Sequence, residues 1–151
     1  MEILAGIMNT VSSETGITLN AKDFRGRLRI QKTVYLLKAM GFEAVSDYDF
    51  NSYIRGPYSR DLAKHYYHLE ENPKDIRFDL PSSYKKILYE ALERGDDFIE
   101  AVATLDIIRR INPTSSVEEI KEFVSNRKPY LKDIIPEAWG FLNDHIRSSA
   151  T

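Results

Sequence analysis

The chain has 151 residues, of which 42% are hydrophobic and 29% are charged, and its net charge is -2. That length suits one domain with its own core, and the near-zero charge argues against a protein that binds polyanions over its whole surface. The absence of cysteine excludes disulfides, thiolate metal sites and a cysteine nucleophile. No apolar run approaches the roughly 18 residues that span a membrane, so we expect a single cytoplasmic domain over residues 1–151.

Two helices are predicted at the start of the chain. Apolar residues recur at helical spacing over residues 2–13 and again over residues 24–40. Asp23 is placed to cap the second helix, and Gly41 stands where its C-terminal cap is expected. We expect both helices to bury their apolar sides in the core.

One side of the helix over 24–40 is basic. Arg25, Arg29 and Lys32 share this side by their spacing along the helix. A row of this kind is typical of a solvated helix face. It also suits a surface that docks an acidic partner or phosphates, and both interpretations stay open.

A short strand is predicted next. Residues 49–55 alternate between aromatic or β-branched residues and polar ones, which indicates a strand that Gly56 and Pro57 end in a tight turn. Ser59 then suits the N-cap of a third helix. Residues 76–80 alternate as well, and we expect them to pair with the first strand in a small ribbon packed on helices.

Four further helices are predicted in the second half of the chain. Gly95 closes the first of them and Asp96 is placed to cap the second. Ser116 and Glu119 have the spacing of a capping box, and Pro136 suits the first turn of the last helix. The whole predicts a mainly α, single-domain bundle of about seven helices with a two-stranded β-ribbon near 49–55 and 76–80.

Three possible metal ligands follow the predicted turn. Asp61, His65 and His68 recur at i, i+4 and i+7 along one side of the third helix. A carboxylate and two imidazoles bind divalent metals, but three ligands on one straight helix span about 10 Å of axis, too far for one ion. The glutamate between paired histidines of zinc proteases is also missing. We therefore expect no metal here.

No catalytic signature is apparent in the sequence. The seven glycines are isolated, so no glycine-rich loop for phosphate is formed, and the paired acidic residues fall at predicted helix ends or exposed faces. We expect no cofactor and no enzymatic activity.

The predicted turn is rich in residues that suit an interface. Tyrosine combines a large contact area with a polar tip, although a ring at the edge of the core has the same sequence signal. The candidate residues for partner binding are Arg25, Arg29, Lys32, Tyr53, Arg55, Gly56, Pro57 and Tyr58.

A family resemblance covers residues 24–70. The segments Leu28-x-Ile-Gln-Lys-x-x-Tyr-Leu-Leu37 and Gly-Pro-Tyr-Ser-x-x-Leu62 resemble the Panacea (SocA-like antitoxin) domain, and more closely the prokaryotic YwgA-like proteins. Thr33 departs from the apolar residue usual in that pattern. The resemblance implies a mostly helical prokaryotic domain without catalytic residues. In the Panacea family the domain neutralises toxins by direct contact, and some members are adaptors to proteases.

Two functions follow as hypotheses. The first is a non-enzymatic protein-interaction domain, antitoxin-like, with a toxin or a protease as its partner. The alternative is a winged-helix-like regulator that binds nucleic acid through the basic face of the helix over 24–40. The segment after Ser116 does not suit a recognition helix, because its three glutamates would be repelled by phosphates.

Overall fold

The computed structural model describes residues 2–53, 56–69 and 75–147. The helices in these ranges are α1 (Glu2–Thr15), α2 (Phe24–Ala39), α3 (Arg60–His68), α4 (Ser82–Glu93), α5 (Asp96–Ile111), α6 (Val117–Arg127) and α7 (Ile135–His145). Two short strands, β1 (Asn51–Tyr53) and β2 (Gly56–Tyr58), form one antiparallel sheet. The predicted fold class, mainly α with a small two-stranded sheet, is confirmed. In the described part of the chain, no helix has the length and apolar character needed to cross a membrane.

Helix α5 lies at the centre of the molecule. Twelve of its sixteen residues are buried, and it packs against α2, α4, α6, α7 and both strands. A helix surrounded in this way is apolar on most sides, with few positions left for charged residues. Glu100, Thr104, Asp106 and Arg109 are nevertheless buried in α5, so this helix contributes polar as well as apolar groups to the interior.

Side-chain caps fix the starts of three helices. As predicted, Asp23, Ser59 and Ser116 each accept a hydrogen bond from a backbone N–H in the first turn of α2, α3 and α6. Asp96 was expected to cap α5, but Gly95 takes that position with φ at 111°, a conformation that favours glycine. Asp96 is therefore the first residue of α5, and its carboxylate pairs with arginines of α2.

The second strand is not at residues 76–80, where it was predicted. The partner of β1 is the segment directly after it, with Asn51 opposite Tyr58 and Tyr53 opposite Gly56. The Gly56–Pro57 dipeptide is thus part of a strand and not the turn itself. The connection between the strands, residues 54 and 55, lies outside the described residues.

Residues 76–80 instead run along α1. The side chain of Asn9 donates to the carbonyl of Ile76 at 2.9 Å, and the N–H of Phe78 donates to the hydroxyl of Thr10 at 2.9 Å. Side chains of α1 thereby satisfy polar backbone groups that a neighbouring strand would otherwise pair. The alternation at 76–80 reflects packing on a helix, which leaves the same sequence pattern as a strand.

Candidate partner-binding site

A pocket of about 410 Å³ lies where α2, the two strands and α3 meet. Its walls carry the aromatic rings of Phe24, Tyr53, Tyr58, Tyr66 and Tyr67. Arg27, Arg60, Gln31 and Lys32 are the polar side chains that also line it. We call this site the aromatic pocket. An apolar concavity with a few polar groups is the usual form of a binding site.

Three of the rings are presented to solvent. Phe24 is 50% exposed, Tyr53 is 45% exposed and Tyr67 is 48% exposed. Each tyrosine packs on a more buried neighbour: the rings of Tyr53 and Tyr58 meet edge to face with centroids 5.5 Å apart, and those of Tyr66 and Tyr67 lie 5.0 Å apart. The two exposed tyrosine rings are therefore held in place by packing, and the three rings together offer a large contact area.

Gln31 attaches the start of α3 to α2. Its side-chain oxygen accepts from the N–H of Ser59 at 2.8 Å, and its side-chain nitrogen donates to the carbonyl of Ser59 at 2.9 Å. The same nitrogen lies 3.4 Å from the hydroxyl of Tyr66. We did not predict this role from the sequence. A glutamine on the apolar side of a helix is the signal that would have indicated it, because a buried amide requires partners.

The predicted basic face of α2 is not a continuous exposed surface. Arg25 and Arg29 both form ion pairs with Asp96 at 2.9 Å. Lys32, in contrast, is only 2% exposed, and its Nζ donates to the carbonyl of Pro57 at 2.7 Å. Lys32 lies about 10 Å further along the helix axis than Arg25, and there the strands cover the same side of α2. The placement of Lys32 on the surface was therefore wrong.

Burial gives Lys32 unusual electrostatics. Loss of solvation lowers the pKa of its amine to about 7, an effect that Glu100 opposes and Lys128 reinforces. The Glu100 carboxylate is already bound by Lys128 at 3.3 Å and accepts a hydrogen bond from Tyr130. Among residues 2–53, 56–69 and 75–147, no carboxylate oxygen lies within 4.0 Å of the Lys32 amine.

Gly56 permits the close approach of β2 to α5 and Lys32. Its φ is +91°, and a Cβ atom at this position would lie 2.6 Å from the hydroxyl of Thr104 and 3.3 Å from Cε of Lys32. Any other residue would clash here and would also adopt an unfavourable backbone conformation. Gly56 and Pro57, both buried, thus position a strand over the lysine and are not exposed contact residues.

The other polar contacts of α2 do not leave a row of free cations. Arg27 donates to the carbonyl of Ala21 and Lys38 to that of Tyr48. The nucleic-acid hypothesis depended on a free basic face, and it stays a prediction that these contacts do not support.

The predicted weak metal candidates have other surroundings. Nδ1 of His65 is hydrogen-bonded to the hydroxyl of Tyr48 at 2.6 Å, while Asp61 and His68 are exposed. Within the described ranges, no group of three or more histidine, aspartate or glutamate side chains is arranged to hold a metal ion. Asp61 lies in the first turn of α3, where a negative charge interacts favourably with the helix dipole.

A second buried polar cluster was not predicted from the sequence. Asp106, fully buried in α5, accepts hydrogen bonds from Tyr35 at 2.5 Å, Arg109 at 2.9 Å and Arg110 at 2.7 Å. Arg109 also donates to the carbonyl of Ile146 at 2.7 Å. This cluster joins α2, α5 and the segment after α7, and burial together with the Asp106 charge raises the pKa of Tyr35. Its contacts are satisfied within the fold, so we regard it as structural.

Comparison with protein-family models, with curated proteins and with solved structures found no match to this chain. The resemblance to the Panacea domain therefore stays a prediction. The structure brings Lys32, Tyr53, Gly56 and Tyr58 together at the aromatic pocket. Of the other residues predicted to bind a partner, Pro57 binds Lys32, Arg25 and Arg29 bind Asp96, and Arg55 lies outside the described residues.

Proposed function

We propose that this chain is a non-enzymatic interaction domain that binds a protein partner through the aromatic pocket. The observation that carries the proposal is the convergence of three half-exposed rings, Phe24, Tyr53 and Tyr67, on one concave surface. Tyrosine and arginine are enriched among the residues that dominate binding energy, and such residues cluster around pockets.

The pocket is also prepared for binding in the absence of a partner. Gln31 holds the start of α3 with two hydrogen bonds, and the exposed rings of Tyr53 and Tyr67 pack against Tyr58 and Tyr66. Side chains that are already ordered lose less conformational entropy on association, so more of the contact energy appears as affinity.

The chemistry of the lining suits a protein partner. In the described part of the chain, the pocket is lined by rings, two arginines, a glutamine and one lysine, with no carboxylate or histidine beside them. Aromatic residues and arginine are enriched at protein interfaces, whereas aspartate and glutamate are depleted there.

The resemblance to the Panacea domain indicates the kind of partner. Four positions of its pattern, Gln31, Lys32, Gly56 and Pro57, form or support the pocket. We therefore propose an antitoxin-like domain whose partner is a toxin or a protease. A prokaryotic source is part of the same proposal.

The test is capture of neighbouring gene products by the immobilised full chain. Tyr67→Ala and Tyr53→Ala should each weaken the captured complex by about 30-fold, the value expected for an interface tyrosine that contributes about 2 kcal/mol. Phe123→Ala is the matched control, because this ring is 42% exposed but lies on α6 outside the aromatic pocket.

Equal binding of all three variants and the wild type would contradict the proposed site. Steeply salt-dependent binding to duplex DNA, lost in Arg25→Ala and Arg29→Ala, would instead support the nucleic-acid regulator.

A further inference from the structure

The charge of Lys32 has no counter-ion in the described part of the chain. An ammonium group has three N–H donors, and the contact of Lys32 is a single hydrogen bond to the carbonyl of Pro57. The side chain is only 2% exposed, and the surface that it borders is the aromatic pocket. Lysines buried this deeply are almost always paired.

The carboxylate that acts on Lys32 already has other partners. Helix α5 contributes Glu100, and the segment after α6 contributes Lys128 and Tyr130, both of which bind the Glu100 carboxylate. Glu100 favours the charged form of Lys32 from a distance but forms no ion pair with it. The remaining ionisable side chains of the pocket lining are Arg27, Arg60, Tyr53, Tyr58, Tyr66 and Tyr67, and no carboxylate is among them.

A second unsatisfied polar group lies beside the lysine. The hydroxyl of Thr104 is buried without a hydrogen-bond partner, and it borders Gly56 together with Cε and Nζ of Lys32. The unpaired hydroxyl of Thr104 and the Lys32 amine, which makes a single hydrogen bond, therefore both border Gly56. Unsatisfied polar groups of this kind are rare in native proteins and call for an explanation.

We propose that the aromatic pocket binds a carboxylate that a protein partner carries next to an apolar or aromatic side chain, with Lys32 as its counter-ion. The inference rests on the proposed function, because it names the group that the partner inserts. The rings would accept the apolar side chain, while the carboxylate would supply the counter-ion that Lys32 lacks. A single negative charge is also less costly to bury between apolar walls than the double charge of a phosphate.

Binding of a carboxylate should be coupled to protonation of the lysine. The pKa of the Lys32 amine is lowered to about 7 by burial, so above this pH the amine is mostly neutral in the free protein. A bound anion favours the charged form and raises this pKa. Affinity should therefore fall by close to tenfold for each pH unit above about 8.

The probes for the test are 3-phenylpropionate and its neutral amide, titrated into the full chain and followed by NMR. Signals of the Lys32 methylene next to the amine and of the tyrosine rings report on the site. The acid should bind at least about tenfold more tightly than the amide at pH 7. In Lys32→Met the two should bind equally, whereas Lys86→Met, on the exposed side of α4, should keep the preference.

Each outcome decides the inference. Equal binding of acid and amide to the wild type, or no binding of either, overturns the carboxylate site. The proposed function would survive that result if Tyr67→Ala still weakened partner capture. If 3-phenylpropionate itself bound with a Kd on the order of micromolar, a free small acid would be the ligand. That result would overturn the proposal that a protein partner supplies the carboxylate. If Lys32→Met does not fold, the pH dependence of the wild-type affinity is decisive, and a flat profile refutes the proposal.

Discussion

Replacement of Lys32 by methionine should stabilise the protein, and the gain should grow as the pH falls. Lys32 is 2% exposed, and burial lowers the pKa of its amine to about 7, against about 10.4 for an unfolded lysine. Between these two values the unfolded chain holds a proton that the folded protein has released. Stability of the wild type therefore rises with pH across this window and is lost as the pH falls toward 7.

The size of the effect follows from the two pKa values. Between the two pKa values, the free energy of unfolding of the wild type rises with a slope that approaches about 1.4 kcal/mol per pH unit. From pH 6 to pH 9 it should therefore increase by about 2–3 kcal/mol relative to that of the methionine variant. Methionine fills a similar volume without a charge. It leaves the carbonyl of Pro57 without its donor, at a cost of about 1–3 kcal/mol that is the same at both pH values.

Urea unfolding at pH 6 and pH 9, followed by circular dichroism, measures this difference. The contributions of other titrating groups to the pH dependence of stability cancel when the variant is compared with the wild type at each pH. Lys86→Met is the control, since an exposed lysine should show no pH-dependent difference. If the variant and the wild type differ by the same free energy at both pH values, the amine is not deprotonated in the folded protein and the reasoning about its burial is wrong.

Three further substitutions test the contacts around the pocket and the core. Gly56→Ala should destabilise the protein by about 3–5 kcal/mol through backbone strain and the clash with α5. Gly41→Ala is the control, because φ at this position is +93° and no atom lies within 4 Å, so the substitution should cost only the backbone strain of about 1–2 kcal/mol. Equal losses of stability for the two variants in thermal unfolding would refute the clash. Gln31→Leu should cost about 1–3 kcal/mol, because it leaves the N–H of Ser59 without its partner, while the Ser59 carbonyl keeps the N–H of Ala63, and amide exchange should accelerate at Ser59. Asp106→Asn should cost about 3–5 kcal/mol in denaturant unfolding, since it leaves two arginines without their buried counter-ion, and an unchanged midpoint would contradict the importance of this cluster.

Local signals in the sequence determined most of the helices. The caps of α2, α3 and α6 and the spacing of apolar residues depend on contacts within one turn, so they can be predicted without knowledge of the fold. The strand at 51–53 was found in the same way. Its partner was not, because alternation at 76–80 arises equally from packing along α1.

The site likewise contains residues that the local sequence could group and residues that only the fold brings together. Tyr53, Gly56 and Tyr58 are close in sequence to one another, and their grouping at the pocket could be predicted. Tyr67, which lies on α3, and Phe24, at the start of α2, join them only because Gln31 fixes α3 to α2 over 28 residues of sequence. Contacts between distant segments leave no periodic signal, so the residues predicted to bind a partner did not include Tyr67 and Phe24.

Lys32 shows what only the tertiary structure decided. By itself, the sequence determined a mainly α fold, the ends of most helices and a lysine on the same helical side as Arg25 and Arg29. Helical spacing gives the direction of a side chain around the axis but not what covers it further along that axis. The strands cover Lys32 and leave Arg25 exposed, and this burial converts an ordinary basic residue into a cation without a counter-ion at the candidate site.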